Sequence, residues 1–155
     1  MTDLQHLEDF LEPVSLPELS GDEGYRAGQM GKNINCFEEN QFPDLAETDL
    51  VIVGCGEERG LGMGRPFSPA PDAIRQELFK TFYWHTDIRL ADLGNIKAGE
   101  SLSDTYAALK LVIRELTENG KKVIILGGGH DLTLAQYHAY ADQKQVIEAA
   151  CIDAR

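Results

Sequence analysis

Apolar runs and helical patterns alternate along residues 49–155. The runs are short, rich in β-branched residues and not interrupted by polar positions, as is typical of strands in a sheet covered on both faces. Helical spacing fills the intervals between them, and such alternation favours right-handed crossovers and a parallel sheet. We therefore predict an α/β fold, a three-layer αβα arrangement with a mainly parallel sheet of about four strands. The predicted strands are residues 50–53, 88–93, 123–126 and 146–152, and the predicted helices are 68–82, 101–119 and 132–142.

The two longer helices have recognisable ends and buried faces. In the helix over 101–119, Ser101 and Asp104 form a capping box and Gly120 ends the helix. The helix over 68–82 has prolines in its first turn, where the missing N–H costs nothing. We predict that Leu109, Val112, Ile113 and Leu116 form the apolar face of the helix over 101–119. The predicted apolar face of the helix over 68–82 is Ala73, Ile74, Leu78 and Phe82.

Residues 1–48 show the least regular pattern. A short helix before Pro13 is predicted, and glycines and prolines among polar residues follow it. We therefore divide the chain into an irregular N-terminal arm, residues 1–48, and an α/β part, residues 49–155.

Composition narrows the function classes. The chain has 155 residues, of which 43% are hydrophobic, and a formal net charge of −12. An acidic chain lacks the basic patches that nucleic acids and anionic membranes require, so neither is an expected partner. The negative charge favours the binding of cationic substrates and metal ions, although an acidic surface that is simply solvated explains the charge equally well.

Cysteines and the N-terminus bear on location. Cys36, Cys55 and Cys151 are far apart and odd in number, which favours a reduced, cytoplasmic protein. Cys151 is predicted to be a core residue of the last strand. No signal peptide and no membrane-spanning run is expected.

The segment over residues 121–131, KKVIILGGGHD, carries the strongest chemical signal. Gly127, Gly128 and Gly129 allow a sharp turn after a strand, and His130 and Asp131 follow at the start of a helix. Ligands of open α/β sheets bind at this end of the strands. Asp153 reaches a similar position after the last strand, so His130 and Asp153 could begin a metal site, while Asp131 could cap the helix.

A second glycine-rich segment, residues 54–66, follows the first strand. Such a loop often contacts a ligand, and its Gly54-Cys55-Gly56 spacing leaves open a nucleotide site, although the rest of that fingerprint is missing. Glu57, Glu58 and Arg59 could steer a cationic substrate or simply be solvated.

Other residues have less specific roles. We expect Asp92 either to cap a turn over 92–95 or to face the site. His138 is expected at the helix surface, and His85 in an aromatic cluster, with Tyr83 and Trp84, that closes the base of the sheet.

Together these motifs resemble the ureohydrolases, the family of arginases, agmatinases and formimidoylglutamases. The segment GGGHD resembles the family's first metal motif, and Cys151-Ile152-Asp153-Ala154 resembles the opening of the second, D-A-H-x-D. The glycine-rich loop resembles the family's first loop, and the SPAPDAIR segment after it resembles the first helix. Asp92-Leu93-Gly94-Asn95 resembles the end of the family's second strand. The similarity extends from about residue 50 to the end.

The resemblance implies a pair of Mn²⁺ ions that share a hydroxide and hydrolyse a C–N bond of an amidine or guanidine. Metal binding lowers the pKa of water enough to supply that hydroxide near neutral pH. His130 matches the first His ligand and Asp153 the first Asp of the second motif. The implied substrates are small molecules of the formimidoylglutamate, agmatine or arginine type, and the GGGHD form favours the first.

Two departures from the family pattern change this expectation. Arg155 stands where a His ligand is expected, and arginine remains protonated and cannot bind a cation. The family's remaining Asp ligands would fall after residue 155. We therefore expect part of a hydrolase, inactive as this chain. The alternatives are a metal-free relative that acts as a binding or scaffold protein, and an unrelated nucleotide-binding domain.

The resemblance also implies a strand order of 2-1-3-8-7-4-5-6, in which two strands that this chain lacks lie between the third and the fourth. The segment 146–152 must then lie beside the third strand, remain unpaired or pair with another molecule. An exposed apolar edge favours association, so we predict a homo-oligomer through that edge.

Overall fold

The computed structural model describes residues 4–62, 67–144 and 146–152. In these ranges a five-stranded sheet forms the middle layer. Its strands are β1 Leu11–Glu12, β2 Asn35–Cys36, β3 Leu50–Gly54, β4 Leu90–Ile96 and β5 Lys122–Leu126. The strand order is β1-β4-β3-β5, with β2 also beside β4. Strands β3, β4 and β5 are parallel, as is β2 to β4, and only β1 is antiparallel among the described strands. The predicted α/β fold with a mainly parallel sheet is confirmed.

Helices cover both faces of the sheet. The described helices are α1 Leu16–Ser20, α2 Met30–Asn33, α3 Ala70–Leu78, α4 Leu102–Glu118 and α5 Leu132–Ala141, with 3-10 helices at Gln5–Phe10 and Arg59–Leu61. One buried cluster contains the apolar stripe of α4 with Leu132, Ala135 and Ala139 of α5, and the other contains Ile52, Phe79 and residues from the N-terminal part. Because the clusters lie on opposite faces, the molecule has three layers.

Helix α4 forms as predicted. The capping box of Ser101 and Asp104 is present in both directions, and Gly120 follows the helix with a φ of +75°. Hydrogen bonds from Ser101 hold the pKa of Asp104 below its ordinary value. The predicted stripe of Leu109, Val112, Ile113 and Leu116 is fully buried. Local signals and tertiary packing agree in this helix.

Residues 4–48 pack against the sheet. Leu7 and Leu11 are buried in the core, and β1 and β2 pair with β4. The helix predicted before Pro13 is a 3-10 helix, and the rest of the arm, predicted to be irregular, also contains the short helices α1 and α2. The boundary between residues 48 and 49 remains a prediction.

Strand β4 continues through the segment where a turn over 92–95 was predicted. It ends at Ile96, because β1 pairs with Asn95 and Ile96. An irregularity in the β3–β4 register accommodates the positive φ of Gly94, and a Cβ there would lie 1.9 Å from the Glu12 carbonyl oxygen. Close approach of β1 therefore requires this glycine.

Asp92 neither faces the site nor simply caps a turn. It is fully buried, and its two oxygens accept hydrogen bonds from Nε and Nη2 of Arg75, both at 2.8 Å. Arg75 is equally buried and also donates to Asp72, Asn95 and the Gly94 carbonyl. Burial raises the pKa of Asp92, and the hydrogen bonds from Arg75 oppose that rise.

This ion pair overturns the predicted apolar face of α3. The buried residues of the helix are Pro71 and Arg75, whereas Ile74 and Phe82 are 42% and 69% exposed. The helix therefore directs a charged side chain into the protein because a buried carboxylate lies opposite. The aromatic residues around His85 do not close the base of the sheet as predicted, because Trp84 is 69% exposed and packs on the exposed His85 ring.

The predicted strand over 146–152 is absent. These residues have neither strand nor helix structure, Val146 and Ile152 are 97% and 100% exposed, and Cys151 is exposed rather than in the core. Strand propensity alone does not order a segment that has no neighbouring strand.

None of the described helices combines the length and apolar content needed to cross a membrane.

We expect Arg75→Met to lower the free energy of unfolding by about 3–5 kcal/mol, because it leaves Asp92 buried without a partner. Urea unfolding followed by circular dichroism measures this loss. Arg89→Met is the matched control, since the Arg89 pairs with Glu47 and Asp49 are exposed to solvent, which screens them, and contribute little to stability. Arg75→Met/Asp92→Leu should be less damaging than the single variant. Equal losses for Arg75→Met and Arg89→Met would contradict the assignment.

Candidate functional site

The loops after β3 and β5 meet at the carboxyl edge of the sheet. Gly127 and Gly128 have φ values of +76° and +78°, so the chain turns sharply after β5. A Cβ at Gly128 would lie 2.5 Å from the Cys55 carbonyl oxygen, and Gly129 N–H donates to the Glu57 carbonyl at 2.9 Å. The glycines therefore let the two loops pack together.

His130 is exposed at this edge, directly after the glycine turn. Its carbonyl accepts a hydrogen bond from Thr133 N–H at 3.1 Å, which begins the first turn of α5. The backbone is thus fixed while the imidazole faces solvent. This is the position that the sequence predicts for His130.

Asp131 does not cap α5. Its side chain makes no capping hydrogen bond, and its Oδ2 accepts a hydrogen bond from the Tyr106 hydroxyl of α4. Its Oδ1 is buried without a hydrogen-bond partner among the described residues. Burial, followed by the hydrogen bond and charge of Asp131, raises the pKa of Tyr106 to about 12. Asp131 therefore joins α4 to the glycine turn.

Gly60 and Gly129 enclose the same carboxylate. A Cβ at Gly60 would lie 2.1 Å from Asp131 Oδ2, and one at Gly129 would lie 2.0 Å from Oδ1. A side chain at either position would therefore displace the Asp131 carboxylate. The loop after β3 is thereby packed over Asp131.

Glu57 and Arg59 fasten that loop to the start of α4. The Glu57 side chain is fully buried and accepts hydrogen bonds from Nε and Nη2 of Arg59. Burial tends to raise the pKa of Glu57, but the hydrogen bonds from Arg59 outweigh it and lower the pKa. Arg59 also donates to the carbonyls of residues 99–101 and to Thr105 Oγ1. Glu57 therefore holds the loop in place, so both expectations for this residue, that it steers a cationic substrate and that it is solvated, are wrong.

The glycines of the nucleotide-like spacing have structural roles. A Cβ at Gly54 would lie 1.8 Å from Asn95 Oδ1, and one at Gly56 would lie 2.3 Å from the Ser68 carbonyl oxygen. Protein atoms therefore occupy the space that a side chain at either position would need, so packing within the protein accounts for both glycines. This packing disfavours the nucleotide-binding alternative.

The described residues do not complete a metal site. Within residues 4–62, 67–144 and 146–152, no group of three or more His, Cys, Asp or Glu side chains could hold a metal ion. The carboxylates of Asp92, Glu57 and Asp131 bond to Arg75, Arg59 and Tyr106. His130 is the candidate ligand that the structure presents at the edge, and His138 lies on the exposed surface of α5, as predicted. Asp153 and Arg155 lie outside the described residues.

Thr105 and Tyr106 hold the two loops against α4, and the sequence analysis did not identify them. They lie in the first turns of a helix whose apolar stripe had already been assigned, and no spacing links them to residues 57–59 or 131. Only the packing of α4 against the two loops reveals their roles.

Comparisons with known proteins place this sequence among arginase-like proteins. The sequence model of the arginase family matches residues 48–154. The chain is 33% identical over 93 residues to a formimidoylglutamase from Citrobacter koseri, covering 57% of this chain and 30% of that protein. It is 28% identical over 119 residues to a formimidoylglutamase from Staphylococcus aureus, covering 70% and 38%. The chain therefore spans less than half the length of these relatives.

Solved structures show the same fold. An arginase superfamily protein from Trypanosoma cruzi superimposes with a TM-score of 0.58 at 21% identity, covering 66% of this chain and 38% of that one. A formiminoglutamase from the same organism, solved in its oxidised form with Mn²⁺, gives 0.56 at 19% identity, covering 66% and 39%.

We expect Tyr106→Phe to lower the free energy of unfolding by about 1–3 kcal/mol, because it removes the donor to the partly buried Asp131. Tyr137→Phe is the matched control, since Tyr137 is 51% exposed on α5. Urea unfolding of both variants measures the difference. If the two substitutions cost the same, the Tyr106–Asp131 contact does not hold the glycine turn.

Proposed function

The chain belongs to the arginase family, and we propose that it is part of a metal-dependent hydrolase that cleaves a C–N bond of a small amidine or guanidine. The family match supports this proposal because it runs from residue 48 to residue 154 and includes the first motif and the opening of the second. Water is the second reactant in such a cleavage.

Formimidoylglutamate is the substrate that we favour over agmatine and arginine. The GGGHD form of the first motif led to this choice, and the relatives from Citrobacter koseri and Staphylococcus aureus are formimidoylglutamases. Hydrolysis of that substrate would release glutamate and formamide.

The exposed imidazole of His130 at the carboxyl edge is the observation on which the proposal chiefly rests. We assign His130 as a Mn²⁺ ligand, with Asp153 as a second, in a complete site of two ions. Imidazole and carboxylate are suitable ligands for this metal, and a Trypanosoma cruzi relative was solved with Mn²⁺. His130 fits such a site, but the engaged carboxylates around it do not supply the remaining ligands. Catalysis therefore needs residues beyond this set, and we infer that the isolated chain is inactive.

Arg155 supports a second candidate function. It stands where the family pattern has a His ligand, and its fixed positive charge opposes a nearby cation. In this alternative the protein is metal-free and acts as a binding or scaffold protein. In either case, its three free cysteines suit a reducing compartment such as the cytoplasm.

Activity distinguishes the two candidates. The test protein is a longer polypeptide that contains this chain followed by the part of the family's length that it lacks. We expect it to release formamide from formimidoylglutamate when Mn²⁺ is supplied. His130→Ala should lower kcat at least about 100-fold, because losing a ligand removes several kcal/mol of transition-state stabilisation. His138→Ala should retain activity, since that residue is exposed on α5.

Agmatine and arginine, assayed in parallel for urea release, test the choice of substrate. A folded, Mn²⁺-supplemented protein that hydrolyses none of the three would contradict the enzymatic proposal and favour the metal-free alternative.

A further inference from the structure

A cleft lies at the end of the sheet opposite the glycine turn. It has a volume of about 530 Å³, and residues 46–50, 87–89 and 120–122 line it. These segments lead into β3, β4 and β5. Because β3 lies between β4 and β5, the cleft is centred on the middle one of the three strands. Clefts of this size accommodate small molecules, and the proposed hydrolysis makes no use of this one.

Charged side chains of both signs line the cleft in equal number. They are the carboxylates of Glu47, Asp49 and Asp87 and the cations of Arg89, Lys121 and Lys122. The lining therefore has no net charge, although the whole chain has a net charge of −12. A balanced lining favours a ligand that carries both signs over one that carries a single sign, because each ligand charge can face an opposite one.

Two of the three carboxylates are already paired within the protein. Arg89 Nη1 lies 2.5 Å from Glu47 Oε2, and Arg89 Nε lies 3.4 Å from Asp49 Oδ2, which also accepts a hydrogen bond from Arg89 N–H. The third, Asp87, has only the His85 imidazole near it among the described residues, at 4.0 Å, and is 85% exposed. Asp87 is therefore the carboxylate that remains available to an ammonium group of a ligand.

Lys121 holds an ammonium group in the inner part of the cleft without a paired carboxylate. Its Nζ donates to the carbonyl oxygens of Ala46 and Thr48, at 3.2 and 2.9 Å, and the side chain is partly buried. These bonds fix the ammonium group and leave one of its three donors unused. Lys122 adds a second ammonium group, and neither lysine forms an ion pair with a described carboxylate. Both cations are therefore available to anionic groups of a ligand.

We propose that this cleft binds a free amino acid with an acidic side chain. Such a molecule has two carboxylates for the ammonium groups of Lys121 and Lys122, and one ammonium group for the carboxylate of Asp87. Leu50 and Ile88, which also line the cleft, offer apolar contacts to its methylene groups. A dianion such as inorganic phosphate fits less well, because the carboxylates of the lining repel it and it has no positive group to offset that repulsion.

Titration of this chain with L-glutamate at low salt, followed by NMR of the backbone amides, tests the proposal. We expect saturable shifts in residues 46–50, 87–89 and 120–122, with a Kd of about 1 mM or below. Glutarate lacks the ammonium group of glutamate, and 4-aminobutyrate lacks one of its carboxylates. Each of them, and inorganic phosphate, should bind at least about tenfold more weakly, because each leaves charges of the cleft without partners.

Exposed positions of the cleft supply the variants. Lys122→Gln and Asp87→Asn each remove one charge, and each should weaken glutamate binding about threefold, as is usual for a solvent-exposed ion pair. Lys80→Gln is the matched control, because it removes an exposed lysine charge outside the cleft, and it should leave the Kd unchanged. Asp87→Asn should not weaken glutarate binding, since glutarate has no ammonium group for Asp87 to contact. Unchanged circular dichroism establishes that each variant folds.

Three results would overturn the proposal. The first is the absence of saturable shifts in the three segments with glutamate up to about 10 mM. The second is binding of glutarate or phosphate as tight as that of glutamate, which means that the cleft is a general anion site. The third is a Kd that both Lys122→Gln and Asp87→Asn leave unchanged. None of these measurements involves metal or formimidoylglutamate, so their outcome is independent of the proposed hydrolysis.

Discussion

The buried pair of Arg75 and Asp92 holds the carboxyl edge of the sheet together. Arg75 extends from α3 to β4, where it meets both oxygens of Asp92 and the carbonyl of Gly94. Burial tends to lower the pKa of Arg75, but the bonds and charge of Asp92 outweigh it and keep the guanidinium protonated. Two desolvated charges are tolerated because each one satisfies the other.

The same rule governs the other carboxylates at this edge. Glu57 is held by Arg59, and the Oδ2 atom of Asp131 by Tyr106. These contacts fix the loop after β3 and the glycine turn after β5 against α4. These three carboxylates therefore have structural roles, and among the described residues His130 is the candidate ligand whose imidazole is exposed at this edge.

Local signals in the sequence predict some of this structure. The capping box and stripe of α4 lie within one helix, and the apolar runs of β3 and β5 are flanked by glycine, so neighbouring residues suffice to identify them. The resemblance to a known family then gives the order of β4, β3 and β5. His130 was predicted as a site residue because its motif is contiguous.

The wrong predictions concern contacts between residues distant in sequence. Arg75 is buried because Asp92 lies opposite it. The side chain of Asp131 does not cap α5, because it accepts a hydrogen bond from Tyr106, which lies 25 residues earlier. The segment 146–152 has strand composition, yet whether it forms a strand depends on an edge being available. The composition of a segment indicates which secondary structure it favours, whereas its neighbours in the fold determine which structure it adopts.

Titration calorimetry with Mn²⁺ on the isolated chain most directly tests the claim that this chain carries only part of a metal site. The account predicts no micromolar binding, either by the unmodified chain or by Arg155→His, because His130 lacks companion ligands among the described residues. Micromolar binding by the unmodified chain, lost in His130→Ala, would contradict that claim. Micromolar binding by Arg155→His alone would also contradict it and would identify Arg155 as the change that empties the site.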